Sequence, residues 1–438
     1  MNALILGFGA IARALCTLNL PIKSLIIIDK IDLAPLINDF FNNAVNSKHI
    51  SVIKFAHIEI TKANYIELAN IMDNYDIDIF IDCSYNVDTL NLLKILSPGV
   101  SYINTSTEDW GEDNIDCHRT LKERQDEIND WYHTVKPKNN ILLDCGMNPG
   151  LISLWAYDCS VKFNFDRNEV TQCIVSEVDT QRAKIPRVEG EFLTTWSPDG
   201  FLEEVHSPVE GYSLGQYYTN NKATAYRTIS KSIRPTGKSN GSESLPFSNL
   251  PVLGQGKPFY GHTVRHAETI TMHKLFPNAT LMYIYKAPDE AIASLFEYQT
   301  PTEIIKKRIM TTEDIIDGRD ELGVLMSDGK RLVWYGSLLS NDDVKTYPLA
   351  EFISATSYQV ACGLWTGIHA LQYYQEQNIY NLMTPEDIIE CPLFEDLLSK
   401  TSQYLKMHVV EFEPSNDVNE FIKNKSFVEH FVNINQCN

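Results

Sequence analysis

Near its start the chain places a glycine-rich turn between a short apolar run and a helical pattern, and no other feature limits the possible folds as strongly. Ala3–Gly7 predicts a buried strand and Ala10–Leu18 predicts a helix, with the pattern G-x-G-x-x-A over Gly7–Ala12 between them. Gly7 permits a tight turn, Gly9 lets the backbone approach a pyrophosphate, and the closing alanine is small enough for close packing of helix on strand. Such a turn is common by itself, so its meaning depends on the strands and helices around it.

The alternation of short apolar runs with helical patterns continues over the first 150 residues. It predicts an α/β fold with a Rossmann-type, doubly wound parallel sheet. The predicted strands are Ala3–Gly7, Leu25–Asp29, Ile50–Phe55, Ile77–Cys83, Ser101–Thr105 and Asn140–Cys145. The predicted helices are Ala10–Leu18, Leu33–Asn43, Ala63–Asp73, Thr89–Leu96 and Cys117–His133.

Asp29 ends the second predicted strand, twenty residues after Gly9. A carboxylate there accepts hydrogen bonds from the adenosine ribose and repels a 2′-phosphate, which favours NAD over NADP. A helix cap or a solvated turn acid is the alternative interpretation. Because ligands lie beyond the carboxyl ends of the strands, the turns after the fourth, fifth and sixth strands are further candidates, although Asp88 and Asn148 are also typical helix caps. The predicted cofactor-binding residues are Gly7, Gly9, Ala10, Ile11, Asp29, Asn86, Asp88, Thr89, Ser106 and Asn148.

After residue 150 the pattern changes, which predicts a second, mixed α+β substrate and dimerisation domain over 151–350. A helix over Leu151–Val161 is followed by predicted strands at Cys173–Val178, Gly190–Trp196, Thr269–Lys274, Thr280–Tyr285 and Arg331–Gly336. An insertion rich in Gly, Ser and Asn at about 237–249 predicts a surface loop. The helix Ser354–Gln372, with small residues Gly363 and Gly367, is expected to return and complete the NAD-binding domain of residues 1–150. Residues 373–438 are treated as a C-terminal extension.

Composition narrows the class of partner. Fifty-seven acids against 37 bases give a formal net charge of −20, which argues against nucleic acid and favours a cationic substrate. No apolar run reaches the roughly 18 residues of a membrane span, and the apolar start is expected to be a strand, not a signal peptide. The nine cysteines form no C-x-x-C pair or zinc-ligand spacing with the histidines, so no metal site is predicted. Reduced thiols suit the cytoplasm.

The second domain is rich in acids and aromatic residues. Glu177, Glu204, Asp320 and Trp196 stand out among them. Most single acids of this kind are surface charges, and a tryptophan is more often part of the core. Other acids in this region are Asp179, Asp199, Glu203, Glu268, Asp317 and Glu321, with His266 two residues before Glu268.

Several of these segments, in order along residues 1–375, resemble the bacterial homospermidine synthases, a group of saccharopine dehydrogenase-like oxidoreductases. The matching segments are Gly7-Phe8-Gly9 with Ile11, Asn148-Pro149-Gly150, Glu177–Arg182, Thr195–Ser197 with Gly200-Phe201, His266–Glu268, Asp317–Leu325 and Trp334–Ser337. D-T-Q-R at 179–182 and the run D-G-R-D-E-L-G-V-L at 317–325 carry the resemblance, whereas the glycine turn is unspecific. Ala12 stands where the family usually has glycine, and the middle insertion and tail are shorter.

The resemblance implies a transferase that uses NAD as a recycled hydride carrier. Such enzymes join two putrescine units, or spermidine and putrescine, into homospermidine through imines, releasing ammonia or diaminopropane, and they form homodimers. The implied substrate-site residues are Asn148, Glu177, Trp196, Glu204, His266, Glu268 and Asp320, with Glu108 and Asp88 as weaker candidates. Putrescine has two ammonium ends, so a pocket for it needs carboxylates at matched spacing, an apolar wall and a cation–π surface. Glu177, Glu204 and Asp320 are the candidate carboxylates, and Trp196 is the candidate aromatic face. The chemistry also needs a group that titrates near neutrality, for which His266 or a carboxylate with a raised pKa is expected to serve.

Two other classes of function compete with this one. A saccharopine- or carboxyspermidine-type reductase consumes NAD(P)H, and its carboxylate-bearing substrates call for arginines, for which Arg182, Arg187 and Arg265 are the candidates. A non-catalytic NAD-binding sensor would keep the fold alone, because a fold does not determine function.

Overall fold

The computed structural model describes residues 1–43, 50–111, 119–207, 209–219, 226–229, 232–235, 244–246, 260–297, 306–347 and 353–412. The chain divides into two compact units. The first unit consists of Met1–Leu151 and Val344–Tyr404, and the second consists of Ile152–Asp343 and the described residues from Leu405 onward. The predicted domain boundaries at 150 and 350 remain a prediction.

A seven-stranded, wholly parallel sheet forms the centre of the first unit. Its strands are β1 (Asn2–Leu6), β2 (Ser24–Asp29), β3 (Ser51–His57), β4 (Ile79–Asp82), β5 (Ser101–Asn104), β6 (Ile141–Leu142) and, from far along the chain, β21 (Leu382–Met383). The order β21-β6-β5-β4-β1-β2-β3 reverses direction at β1, as in a doubly wound dinucleotide-binding fold. β1, β2 and β4 are buried almost throughout, because both faces of such a sheet are covered. The predicted α/β class and Rossmann-type sheet are confirmed.

The helices of the first unit match the predicted pattern closely. They are α1 (Ala10–Cys16), α2 (Ala34–Asn43), α3 (Glu67–Asn74), α4 (Thr89–Lys94), α5 (Leu121–Val135), α11 (Ala355–Glu376) and α12 (Phe394–Tyr404). Helix α11 packs against α1 and β5. Its glycines permit this packing, because a Cβ on Gly363 would stand 1.7 Å from the Gly146 carbonyl oxygen and one on Gly367 would stand 2.5 Å from Ile103.

A second seven-stranded sheet, with parallel and antiparallel neighbours, forms the centre of the second unit. Its strands are β7 (Gln172–Asp179), β14 (Ser244–Pro246), β15 (Tyr260–Thr263), β16 (Thr280–Lys286), β19 (Asp320–Ser327), β20 (Leu332–Ser337) and β22 (Met407–Glu411). Their order is β14-β15-β16-β7-β19-β20-β22. Strand β7 pairs parallel with β16 and antiparallel with β19, which places Glu177 opposite Tyr285 and Leu322, and Asp179 opposite Asp320.

Four two-stranded pairs and five helices complete the described part of the second unit. The paired strands are β8 (Arg182–Ala183) with β18 (Ile315–Asp317), β9 (Glu191–Thr194) with β17 (Lys306–Ile309), β10 (Glu210–Ser213) with β11 (Gln216–Thr219), and β12 (Tyr226–Ile229) with β13 (Ser232–Pro235). The helices are α6 (Leu151–Lys162), α7 (Pro198–His206), α8 (Glu268–Thr271), α9 (Asp289–Glu297) and α10 (Asn341–Val344).

The predicted strand Thr269–Lys274 is wrong. The segment is helical, with α8 running into a 3-10 turn over Met272–Lys274. Threonine is β-branched and so favours a strand, but here the hydroxyls bond back along a helical turn, from Thr269 to the His266 carbonyl and from Thr271 to the Ala267 carbonyl.

Other expectations fall outside the described residues. Of the predicted surface loop at 237–249 only strand β14 is described, and Cys117, Cys437 and residues 413–438 of the predicted extension are not. No helix in the described part of the chain is both long and apolar enough to cross a membrane.

Candidate functional site

The glycine turn after β1 has the geometry that its sequence predicts. Gly7 has a φ of +84°, and a Cβ there would lie 2.7 Å from the Cys83 carbonyl oxygen in the turn after β4. Only glycine fits this position without strain. Gly9 is exposed, and no atom lies within 4 Å of the position that its Cβ would occupy. Ala12 is fully buried. The backbone at Gly9 is therefore open to a ligand, which fits the phosphate-bearing middle of a dinucleotide.

Asp29 is buried at the end of β2 and supports the glycine turn. Its carboxylate accepts hydrogen bonds from the backbone N–H of Phe8 at 2.6 Å and of Ile31 at 2.8 Å. It is 8% exposed, so it is not a solvated turn acid. An ionised carboxylate has about four lone-pair sites, so it can also accept from a ribose hydroxyl.

The turns after β4 and β5 are joined to one another. Asp88 caps helix α4 by accepting from the Asn91 N–H at 2.7 Å, which is the alternative role expected for a residue of this type. Thr89 is fully buried, and its hydroxyl accepts from the Glu108 N–H at 2.9 Å. Its own N–H donates to the Glu108 carbonyl. The polar groups of Thr89 are therefore engaged within the protein, where they hold the turn that carries Glu108.

The remaining predicted cofactor residues also lie at this edge of the first sheet. Asn86 has a φ of +66°, and its carbonyl accepts from the Gly111 N–H. Ser106 is exposed in the turn after β5, and Asn148 is half-buried in the turn after β6. Ala10 and Ile11 are the first two residues of α1, and both are half-buried. The first unit thus collects all ten predicted residues at the carboxyl ends of its strands or at the start of α1.

In the second unit, His266 lies between two carboxylates. Its Nδ1 is 2.6 Å from Glu268 Oε2, and its Nε2 is 3.3 Å from Glu204 Oε1. Burial alone would lower the pKa of His266, but the charges and hydrogen bonds of Glu268 and Glu204 outweigh it and raise this pKa well above the ordinary value. His266 is therefore held as a cation at neutral pH and does not titrate there. Burial raises the pKa of Glu204, while His266 opposes that shift.

Two tyrosines of β16 connect this imidazole to the predicted carboxylate and aromatic groups. The Tyr283 hydroxyl donates to Glu177 Oε2 at 2.7 Å, and the Tyr283 ring lies 4.4 Å from the His266 ring. The Trp196 indole N–H donates to the Tyr285 hydroxyl at 3.2 Å. These contacts join seven side chains into one group, which we call the acidic cluster. Its members are Glu177, Trp196, Glu204, His266, Glu268, Tyr283 and Tyr285.

The acidic cluster contains buried carboxylate oxygens that no donor satisfies. Among the described residues, Glu204 Oε2 and Glu268 Oε1 have no hydrogen-bond partner, although both are buried. A buried acceptor without a donor costs about 1–3 kcal/mol, and more when it is charged. These two oxygens are positions where a cationic ligand can donate.

Asp320 is buried on β19, the strand that pairs with β7, and it lies directly opposite Asp179. Asp179 accepts from the Thr195 hydroxyl at 2.5 Å and from the Gln181 backbone N–H at 2.9 Å. Burial nevertheless raises the pKa of Asp179 to about 6. A carboxyl group that titrates near neutrality is therefore present beside Asp320.

The two most specific sequence segments, D-T-Q-R at 179–182 and D-G-R-D at 317–320, are joined by hydrogen bonds beside Asp179 and Asp320. Gly318 has a φ of +105°, and a Cβ there would lie 2.3 Å from the Thr180 carbonyl oxygen. Thr180 and Arg319 exchange hydrogen bonds through both backbone and hydroxyl groups. A cavity of about 500 Å³ opens beside these two joined segments. Its lining includes Asp179, Arg182, Lys286, Asp317 and Arg319.

The three arginines that a reductase would use to bind a substrate carboxylate already have carboxylate partners. Arg182 pairs with Asp317, Arg187 with Glu297, and Arg265 with Glu203. In the acidic cluster, the buried groups without a partner among the described residues are instead carboxylate oxygens, which suit a cation and not an anion.

The seventh predicted substrate-site residue, Asn148, belongs to the first unit, so the second unit holds the other six. Sequence reasoning does not identify Tyr283 and Tyr285. Two tyrosines two positions apart on a predicted buried strand are the available signal, because alternate residues of a strand face the same side. In the described residues no group of three or more His, Cys, Asp or Glu is placed to hold a metal ion.

Comparison with known proteins agrees with the geometry. No protein-family model matches the chain. The chain is 26% identical to the homospermidine synthase of Mesorhizobium japonicum over 364 residues, which is 72% of this chain and 73% of that protein. It is also 26% identical to the homospermidine synthase of Blastochloris viridis over 365 residues, with the same shares covered.

Solved structures agree with these relatives. The homospermidine synthase of Legionella pneumophila, crystallised in complex with NAD, superposes with a TM-score of 0.70 at 25% identity, covering 94% of this chain and 91% of that one. The apo saccharopine dehydrogenase (L-Glu forming) of Saccharomyces cerevisiae shares the fold, with a TM-score of 0.54 at 10% identity over 94% of this chain and 100% of that one. In sequence and in fold, the chain is therefore similar to homospermidine synthases.

Proposed function

We propose that this chain joins two putrescine molecules into homospermidine and releases ammonia, or takes the aminobutyl group from spermidine and releases diaminopropane. The observation that carries the proposal is the acidic cluster, in which buried carboxylate oxygens of Glu204 and Glu268 have no donor among the described residues. The ammonium groups of a diamine supply the missing donors.

The formal charge of the acidic cluster supports the same substrate. Glu177, Glu204 and Glu268 contribute three negative charges and His266 one positive charge, which leaves a formal charge of minus two. A diamine with two ammonium ends matches that charge. The net charge of the whole chain, −20, also attracts a dication from solution.

We propose NAD as the cofactor, held by the turns at the carboxyl ends of the first unit's strands. When bound, NAD supplies a hydride acceptor and, later in the same cycle, a hydride donor. Gly7 and Gly9 shape the turn for the pyrophosphate, and the Asp29 carboxylate accepts from the ribose and disfavours a 2′-phosphate.

The residues of the acidic cluster and the neighbouring Asp179 and Asp320 have separate tasks in this proposal. Trp196 offers its ring face to an ammonium or iminium group, and Glu177 and Asp320 hold the charged ends of the chain. Negative charge in a buried site stabilises an iminium carbon as it forms. His266, held as a cation, keeps Glu204 in place. A carboxyl with a raised pKa, such as Asp179, exchanges protons with the amines.

The direct test is turnover of putrescine by the purified chain with NAD⁺. We expect homospermidine and ammonia in equal amounts, with no net accumulation of NADH as followed by its absorbance. Accumulation of NADH in proportion to product would show a dehydrogenase instead. NAD binding without product would favour a sensor. Turnover only with a carboxylate-bearing partner and NAD(P)H would favour a reductase.

Replacement of Trp196 tests the cation–π role. Trp196→Ala should lower kcat/KM for putrescine about thirtyfold or more, because a desolvated cation–π contact contributes about 2 kcal/mol. Trp196→Phe, which keeps a ring, should lose only about threefold, since most of the aromatic face remains. NAD affinity, measured by calorimetry, should be unchanged in both. Full turnover in Trp196→Ala would contradict the role.

A homodimer in the cytoplasm is also part of this proposal. The seven cysteines among the described residues are free thiols, as in a reducing compartment. Ile185, Ile309 and Ile316 are 59%, 43% and 53% exposed on or beside the small strand pairs of the second unit, and a second copy would cover them. Sedimentation of the purified chain measures the oligomeric state, and a monomer at all concentrations would contradict this part.

A further inference from the structure

Strand β16 presents two tyrosines side by side on one face of the second sheet. Tyr283 and Tyr285 are two positions apart, and their rings are nearly parallel, at 14°, with centroids 5.9 Å apart. Both are buried, at 3% and 2% exposure. Burial raises the pKa of each hydroxyl well above the ordinary value, so each carries its proton throughout the working pH range.

Each tyrosine holds a different part of the acidic cluster. The Tyr283 hydroxyl donates to Glu177 at 2.7 Å, whereas the Tyr285 hydroxyl accepts from the Trp196 indole at 3.2 Å. The carboxylate and the aromatic face that bind the diamine are thus attached to neighbouring positions of one strand.

These hydrogen bonds restrict the side-chain rotation of Glu177 and Trp196. Glu177 has three rotatable side-chain bonds, and its register partner on β16 is Tyr285, so its backbone is fixed relative to both tyrosines. The tyrosines are fixed in turn by stacking on each other and by the His266 ring 4.4 Å from Tyr283. The spacing between the anionic and aromatic groups is therefore set by the strand and not by the substrate.

We propose that Tyr283 and Tyr285 are positioning residues that determine which diamine chain length the site accepts, by holding Glu177 and Trp196 at a set spacing. This inference rests on the proposed function, because it assigns selectivity to the same site. A diamine one methylene shorter or longer than putrescine then meets a carboxylate and an aromatic face that do not adjust to it.

The test compares Tyr283→Phe and Tyr285→Phe with the wild type on three-, four- and five-carbon diamines. Each change removes one hydroxyl and keeps the ring stacking. Tyr218→Phe is the matched control, because Tyr218 is also a buried tyrosine of this unit, and its hydroxyl donates at 2.9 Å to the carbonyl of Leu281, which is not a member of the acidic cluster.

We expect Tyr283→Phe to lower kcat/KM for putrescine about tenfold to a hundredfold, as for loss of a hydrogen bond to a charged group. Tyr285→Phe, which loses a neutral hydrogen bond, should lose about threefold to tenfold. In both variants the preference for putrescine over the other two diamines should fall by at least about threefold, because the loss of either hydroxyl frees one of the two groups that measure the chain.

The pH profile separates positioning from a general loss of structure. In Tyr283→Phe the acidic limb of kcat/KM should move to higher pH, because Glu177 has lost a donor that favours its charged form. The limb should stay in place in Tyr285→Phe and Tyr218→Phe. Unchanged diamine preference in both cluster variants, with an unmoved limb in Tyr283→Phe, would overturn the inference. A wild type that turns over no diamine would instead contradict the proposed function itself.

Discussion

The proposed sites of the two units differ in their physical basis. In the first unit the proposed NAD surface is backbone, shaped by glycines such as Gly7 and open at Gly9, and the acids there hold the turns of the chain itself. In the second unit the proposed diamine surface is made of buried side chains, and the carboxylates of Glu204 and Glu268 keep oxygens that no described residue satisfies. A backbone site depends on conformation, whereas a side-chain site depends on charge. Substitutions in the two units should therefore fail in different ways.

The largest effect should come from Gly7→Ala. The added Cβ meets the Cys83 carbonyl at 2.7 Å in a backbone with a φ of +84°. Strain of about 1–3 kcal/mol is expected from the conformation alone, and displacement of the turn should weaken NAD binding about a hundredfold. Calorimetric titration with NAD measures this loss.

Gly99→Ala is the matched control for that substitution. Gly99 has a φ of +92°, but no atom lies within 4 Å of its Cβ position. It should lower the free energy of unfolding by about 1 kcal/mol and leave NAD affinity intact. Equal loss of NAD binding in both variants would mean that the shape of the Gly7 turn is not what the first unit uses.

An intermediate effect, dependent on pH, should come from Glu268→Gln. The pKa of His266 is raised in the folded state, so protonation of His266 stabilises the fold. This stabilisation is complete below about pH 6.5, which is the ordinary pKa of histidine, and it is lost as the pH rises through the pKa of His266 in the folded state. The wild type should therefore lose stability over that window. Glu268→Gln should be about 2 kcal/mol less stable at pH 7, because a hydrogen bond to a charged group is lost, and its stability should change less with pH. Urea unfolding at a series of pH values measures both.

His266→Asn serves as the control for this prediction. It removes the titrating imidazole, so it should abolish the part of the stability loss above about pH 6.5 that His266 causes, in either background. A pH dependence that survives His266→Asn would assign the effect to another group, such as Asp179.

The smallest effect should come from Arg187→Ala. Arg187 pairs with Glu297, and both side chains are partly exposed, so the pair should contribute about 1 kcal/mol at most to the free energy of unfolding. Turnover of putrescine should stay within about twofold of the wild type, because the pair lies outside the acidic cluster. A large selective loss of kcat/KM would instead favour the hypothesis of a reductase, because such an enzyme needs an arginine at its substrate.

The contrast between the units also explains what the sequence can predict. The first sheet is visible in local patterns, since Leu25–Asp29 or Ser101–Thr105 each carry enough apolar character to indicate a buried strand. Strand β21 is not predicted, because Leu382–Met383 is only two residues long and has no period to detect. The β-branched residues of Thr269–Lys274 predict a strand, but the segment is helical, and the Thr269 hydroxyl bonds both to the nearby His266 carbonyl and to the distant Glu210 carbonyl.

The acidic cluster is predictable only in its residue types. Glu177, His266 and Asp320 are far apart in the chain. The pairing of β7 with β19 brings Glu177 and Asp320 onto neighbouring strands, and the pairing of β7 with β16 brings Glu177 to Tyr283, whose ring contacts His266. That His266 is held as a cation depends on two buried partners, which spacing alone does not show. Tyr283 and Tyr285 look like ordinary core residues in the sequence, because only their hydroxyl partners distinguish them.

The glycines of helix α11 have a consequence for how the chain is made. Gly363 lets that helix pack on the turn at Gly146, and β21 then adds the last strand to the first sheet, so the first unit needs residues that a ribosome delivers after most strands of the second unit. The second unit needs β22, which arrives later still. Neither unit can close before the other is largely made, in contrast to the usual N-terminal-first order of folding. A chain that ends before residue 344 would therefore leave both units incomplete. In a newly made chain, the exposed strand edges would need protection until β21 and β22 have been added.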